Sequence, residues 1–271
     1  EIKLFEGEYI QKYGNSDNKF RVIELKNIKM MLNGYETSDS LDKKTKELEI
    51  IIFISICGEQ VLAKIEDTIG QYFHFKQMKF SSFALSFFTI ARDAYSKQED
   101  FLLAHIGGEM TDIYMVKKNS LRESISFPLG CNFLARGVAS GFGCAIDEAD
   151  SFISLFKDGH AKESVAKKIL LILNKLKIEW LKNFQDSLVN LSNDISIPST
   201  IYIVVDKDLA DFFSEAIKTE QISQYTLTES KFKIVFITTE SLRQIALFKE
   251  KICGPFIIID SIFINRFLIK I

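Results

Sequence analysis

The 271-residue chain predicts an α/β fold with a smaller α+β unit at its start. Three observations carry this reading. From about residue 200 onward, strand-like apolar runs alternate with helical ones, the order that lays helices against a sheet. Between Phe101 and Val116 two apolar runs meet at Gly107-Gly108, as the arms of a hairpin do. Ahead of residue 80, the β-branched run Ile50 to Cys57 is followed by one helical pattern, enough for a unit of its own. The expected division is therefore residues 1–79 and 80–271, with 80–97 as a linking helix.

Taken in order, Phe20 to Leu25 and Ile28 to Leu32 read as strands, and Asn33-Gly34 marks a turn. Ile50 to Cys57 is almost uninterrupted apolar sequence, the mark of a strand buried on both faces. Glu59 to Phe73 follows as a helix, with Val61, Leu62, Ile65 and Ile69 near helical spacing. Phe80 to Tyr95 is apolar enough for a helix packed on more than one neighbour. The hairpin and Leu121 to Phe127 then give three strands in succession, an antiparallel meander that Pro128-Leu129-Gly130 breaks.

Asn132 to Ser140 reads as a helix ended by Gly141 and Gly143, and Asp147 to Phe156 as another, closed by Asp158-Gly159. Glu163 to Leu191 is one long helix. Its Val165, Ile169, Ile172, Leu176, Trp180, Phe184, Leu188 and Leu191 recur every three or four residues, as a core face or a partner-binding stripe would. Thr200 to Val205 is a strand, Leu209 to Ile217 a helix, Phe232 to Ile237 a strand and Glu240 to Phe248 a short helix. Phe256 to Ile259 completes the pattern as a last strand, with a closing helix after it.

Composition removes several function classes. With 34 basic against 36 acidic side chains the net charge is −2, which gives no electrostatic reason to expect nucleic acid. Lys167, Lys168, Lys175 and Lys177 are interrupted by acids and leucines and read as a solvated helix face. Cys57, Cys131, Cys144 and Cys253 are widely spaced with no CxxC pair, as in a reducing compartment. His74, His105 and His160 have no metal-ligand spacing, so no metal is expected. No GxSxG elbow and no GxxxxGK[ST] loop is present. The longest uncharged runs fall short of the roughly 20 residues a spanning helix needs. The start at Glu1, without methionine or a signal-peptide pattern, is what a fragment would look like.

The hairpin is the candidate site. Two residues without a Cβ let an anion approach main-chain N–H groups closely, so the turn at Gly107, Gly108 and Glu109 is suited to a phosphate. Mg²⁺ or an attacking water would need a carboxylate at the end of the first strand, since the ion takes hard oxygen ligands. His105 stands there instead. It reads either as a strand-end histidine bonded to a backbone carbonyl or as a contact for an anion.

The segment Ile106, Gly107, Gly108, Thr111, Asp112, together with Ser126 to Gly130, resembles the second phosphate-binding segment of the actin-like ATPase fold. It looks most like the bacterial branch containing the division protein FtsA and the pilus protein PilM. Val22 to Ser40 with Leu48 to Ile56 is similar to the small inserted subdomain, SHS2, of that branch. Asp147, Glu148, Ala149 and Asp150 stand where the family contacts the ribose, and Thr200 to Ile217 where it cradles adenosine. The departures are consistent in direction. His105 replaces the acidic residue, Met110 a threonine, and Val204-Val205-Asp206 the glycine pair. The family's other phosphate loop, placed ahead of the inserted subdomain, is not in this chain.

The resemblance implies an actin-like, ribonuclease H-like domain with an inserted α+β subdomain. It implies His105, Gly107, Gly108, Glu109 and Thr111 as a degenerate nucleotide site with no catalytic residue. ATP with Mg²⁺ is the one cofactor it raises, and none is assigned. The expected role is an adaptor for division or pilus-assembly proteins, cytoplasmic and at most peripheral to the inner face of the membrane, with self-association open. Two alternatives stand beside it: a nucleotide-dependent ATPase switch whose other half lies elsewhere, and a plain two-glycine hairpin in an unrelated α/β protein. The tail Phe256 to Ile271 reads as buried structure rather than a membrane-binding amphipathic helix, because it follows Gly254-Pro255 directly and is crowded with β-branched residues.

Overall fold

A computed structural model describes residues 2–13, 19–37, 42–74, 77–191, 196–206, 209–218, 233–247 and 254–268. Cys253, Phe232, Phe248 and Lys270 lie outside these. The chain divides into two compact units, Glu1–Phe87 and Phe88–Ile271, so the division falls within a helix rather than ahead of it.

The first unit begins with α1 (Ile2–Tyr13), which the sequence pattern did not announce. Tyr9 meets Phe20 edge-on, with ring centroids 5.6 Å apart. Then come β1 (Phe20–Leu32), the short β2 (Tyr35–Glu36), β3 (Leu48–Gly58) and α2 (Glu59–Tyr72). The sheet order is β2-β1-β3, antiparallel throughout. The two strands expected over Phe20 to Leu32 are one. Its register with β3 skips Ile23 and Ile28, so two bulges absorb the breaks in alternation that suggested separate strands. Nor is β3 buried on both faces. Only Ser55 is buried, Leu48 to Ile50 are exposed and the rest of the strand is half-buried. A β-branched run reports strand propensity without reporting two-sided cover.

Inside this unit Glu24 is a buried carboxylate. It accepts hydrogen bonds from the Ser81 hydroxyl at 2.6 Å, the Ser82 hydroxyl at 3.0 Å, and the Ser82 N–H and Ser55 hydroxyl at 3.2 Å. Four donors offset the cost of removing the charge from water. The Ser82 hydroxyl in turn accepts from the Leu85 N–H at 3.3 Å, at the start of α3 (Phe83–Ala94).

The second unit is built on β4 (Phe101–Ile106), β5 (Thr111–Lys117), β6 (Ser120–Phe127), β7 (Thr200–Val204) and β8 (Lys233–Phe236). The order is β6-β5-β4-β7-β8. The first three form the expected antiparallel meander, and β7 and β8 add in parallel. Alternation sends Leu102, Ala104 and Ile106 to one face of β4 and Phe101, Leu103 and His105 to the other. The first face packs against α4 (Cys131–Phe142), α6 (Glu163–Leu191) and α7 (Ala210–Lys218), with Trp180, Phe184, Leu188 and Phe213 fully buried. Each such side chain contributes roughly 1.5–3 kcal/mol. The stripe on α6 is thus a core face from Ile169 to Leu191. Lys167 on its solvent side pairs with Glu163 at 2.7 Å, and Lys177 with Glu215 at 3.1 Å.

The second face carries Tyr202, stacked on Tyr95 at 4.2 Å, and His105, edge-on to Phe256 at 5.5 Å. Phe256 belongs to α9 (Pro255–Phe263), where a strand was expected. Gly254 at φ +101° turns the chain and Pro255 occupies the first helical turn, where its missing N–H costs nothing. Burial of Ile258, Ile259, Ile262 and Phe263 then overrides β-propensity, and a π-helical turn, Ile264–Leu268, continues the helix. Between these elements lie α5 (Ile146–Lys157) and α8 (Thr239–Leu242), the latter opened by a Thr238–Ser241 capping box.

Gly141, expected to end α4, lies inside it. A Cβ there would stand 2.4 Å from Ile172 Cδ1, and one on Gly137 2.4 Å from Leu176 Cδ1, so the two glycines bring α4 close to α6. Gly143, left-handed at φ +69°, ends the helix, its N–H donating to Ala139 O.

Candidate functional site

The hairpin turn and the start of α4 form one interlocked structure. The Gly107 N–H donates to Met110 O at 2.9 Å and closes the turn. The carbonyls of Gly107 and Gly108 accept from the N–H groups of Cys131 and Asn132, both at 2.8 Å. Two of the four N–H groups that a helix leaves unsatisfied at its start are therefore held by the turn. Gly130, the residue before α4, makes this closeness possible: a Cβ would lie 2.4 Å from Gly107 O and 2.5 Å from Gly108 O. The N–H groups of Gly108 and Glu109 donate to nothing among the described residues.

The Glu109 side chain folds back over α4. Its carboxylate takes Asn132 Nδ2 at 2.9 Å and Arg136 Nη1 at 2.9 and 2.8 Å, one contact to each oxygen. The Arg136 bond, then that of Asn132, holds the Glu109 carboxyl below the usual carboxylate range. Asn132 and Arg136 are four residues apart on α4 and so share a face.

Thr111 is fully buried, and its hydroxyl donates to Leu129 O at 2.7 Å while accepting from Trp180 Nε1 at 3.2 Å. It joins hairpin, the Ser126–Gly130 segment and α6. Deep burial between these partners makes it a fastener rather than an open contact.

His105, Asp112 and Ser126 form a row across three strands, since register places His105 opposite Asp112 and Asp112 opposite Ser126. Asp112 Oδ2 lies 3.0 Å from His105 Nδ1, and Oδ1 accepts from Ser126 Oγ at 2.5 Å. Burial pushes the Asp112 carboxyl up, but the His105 and Ser126 hydrogen bonds outweigh it and hold it below its ordinary value. The partner at Nδ1 is thus a carboxylate, where a backbone carbonyl was the simpler expectation. Serine is bonded to the acid and not to the imidazole, so the row lacks the nucleophile–base contact of hydrolytic triads.

Beside the turn, a cavity of about 240 Å³ is lined by Cys131, Asp150, Ser154, Lys157, Asp206 and Leu209. Cys131 adjoins both cavity and turn. Burial, and then the Asp206 charge, pushes its thiol up to about 11, so it is no nucleophile at neutral pH. Asp150 brings part of the acidic run expected at the ribose to this cavity, and Asp206 ends the segment expected to carry a glycine pair. Val204 and Val205 before it are buried, Val204 paired alongside His105 and Val205 within the core. Among the described residues no three His, Cys, Asp or Glu side chains gather as a metal centre requires.

No family model matches the chain, and no curated protein matches it in sequence. Solved structures do match in fold. The PilM-PilN type IV pilus biogenesis complex superposes with a TM-score of 0.60 at 11% identity, covering 96% of this chain and 70% of that one. A protein of actin-like ATPase fold and unknown function from Bacteroides thetaiotaomicron gives 0.40 at 10% identity, covering 88% and 61%. The ethanolamine utilization protein EutJ from Carboxydothermus hydrogenoformans gives 0.35 at 18%, covering 56% and 48%. The chain has the actin-like ATPase fold.

Proposed function

We propose that the chain is a PilM-like adaptor that holds protein partners of pilus assembly at the inner face of the membrane, rather than a working ATPase. One observation carries it: the position suited to a Mg²⁺- or water-holding carboxylate is His105, and its nearest acid, Asp112, is engaged by His105 and Ser126. Phosphoryl transfer rests on a positioned metal and developing-charge stabilisation, and this row supplies neither. The turn carbonyls of Gly107 and Gly108 face α4, and Glu109 draws Arg136 and Asn132 to itself. In this reading Gly107, Gly108, Glu109, Thr111 and His105 are the retained frame of a phosphate segment, and residues 1–79 are an SHS2-type insert offering a docking surface. A division role would use the same frame.

A second reading keeps nucleotide binding. The N–H groups of Gly108 and Glu109, which donate to nothing among the described residues, and the cavity lined by Cys131, Asp150 and Asp206 favour it. Titration of the chain with ATP and Mg²⁺ by calorimetry, with phosphate release followed in parallel, separates the two. The adaptor reading expects no hydrolysis, and co-purification with the cytoplasmic segment of a PilN-like membrane protein. Hydrolysis lost on Gly108→Val would overturn it.

A further inference from the structure

The outer edge of β3 has no strand beside it among the described residues, and nothing in its sequence guards it. Exposed edges are normally blunted by brevity, lysine, proline or a bulge, because their unpaired N–H and C=O groups template pairing with another chain. β3 is 11 residues long, LEIIIFISICG, with Glu49 its one charge and no proline. Both bulges of the pair lie on β1, at Ile23 and Ile28, so β3 itself runs regularly over its whole length. Leu48 is 53% and Ile50 39% exposed, so apolar side chains accompany the open backbone.

We propose that this edge is a two-fold interface, occupied by β3 of a second copy of the chain in antiparallel pairing centred on Phe53. The strand's own pattern selects that occupant. Full overlap sets Leu48 opposite Gly58, Ile50 opposite Ile56 and Ile52 opposite Ile54, with Phe53 facing its own counterpart on the axis. Aromatic and β-branched pairs of this kind stabilise antiparallel ladders. Glu49, the only charge within the strand, falls opposite neutral Cys57. A strand for reading a foreign peptide would carry alternating polar side chains to select its sequence, and β3 has Ser55 alone in its interior, already bonded to Glu24 and Ser82. The paired edges would join two three-stranded sheets into one, and this inference does not depend on the adaptor reading.

The 271-residue chain is expected to sediment as a dimer at micromolar concentrations, and Phe53→Lys, which opposes two ammonium groups on the axis, is expected to return it to monomer with an unchanged circular dichroism spectrum. Because Phe53 is half-buried and the variant could misfold, Glu49→Cys at an exposed position is the second arm. It sets a thiol across from Cys57 of the other copy at a spacing that suits a disulfide. Oxidation with copper phenanthroline is expected to give a covalent dimer, abolished by adding Cys57→Ser. A monomer at all concentrations, or a dimer that cross-links in neither case, would overturn the proposal.

Discussion

His105 and Asp112 stand opposite each other on β4 and β5, with the ring nitrogen Nδ1 3.0 Å from carboxylate oxygen Oδ2. The pair sits where a phosphate-handling site would require an acid, and it turns that position into a cross-strand tie.

The tie has a pH signature. The Asp112 carboxyl is held below its ordinary value, so its contribution is fully present above the unfolded carboxylate pKa of about 3.9 and is lost as pH falls through the lower folded value. Asp112→Asn is therefore expected to destabilise by about 1 kcal/mol at neutral pH, discounted for partial exposure. The gap should close as pH falls through the lowered Asp112 value. Urea unfolding of both proteins across this range measures it; a gap that persists undiminished in acid would show that charge plays no part.

Gly130→Ala tests the interlock of turn and helix. With its Cβ about to meet two carbonyl oxygens, the variant is expected to lose about 2–3 kcal/mol and the protection of the Cys131 and Asn132 amides against hydrogen exchange. Ala at Gly143, a left-handed helix end, is the control: it should weaken the protein by about 1 kcal/mol without touching those two amides.

Trp180 is the only tryptophan and is fully buried. Trp180→Phe keeps most of the ring packing against Phe127, Phe184 and Phe213 but strips Thr111 of its donor, and about 1–2 kcal/mol should be lost. Trp180→Ala should lose about 3–5 kcal/mol, since a cavity is added. Thermal unfolding of the two variants distinguishes the polar from the packing share.

How far the sequence disclosed this molecule depended on whether the signal was local. The hairpin, the meander and the long helix α6 were legible because each is marked by apolar periodicity within its own span. The last helix was misread because Ile257 to Ile259 are β-branched and follow an aromatic, and the packing of Ile258, Ile259 and Ile262 makes a helix of it. At the candidate site, the turn itself drew attention to Gly107, Gly108 and Thr111. Arg136 and Asn132 were not, for their partner Glu109 is distant in sequence; their spacing on one helix face was the only trace. Asp112 was seen as part of a motif, while its bond to His105 follows from strand register, which no residue type announces.

The carbonyls of Gly107 and Gly108 that receive the first amides of α4 make that helix's beginning a non-local event. Until β4 and β5 have closed, the amides of Cys131 and Asn132 have only water to donate to, so the start of this helix draws its support from the bend. An isolated peptide spanning Cys131 to Gly143 would accordingly lack its starting clasp, and whatever loosens the bend would fray the helix from its front.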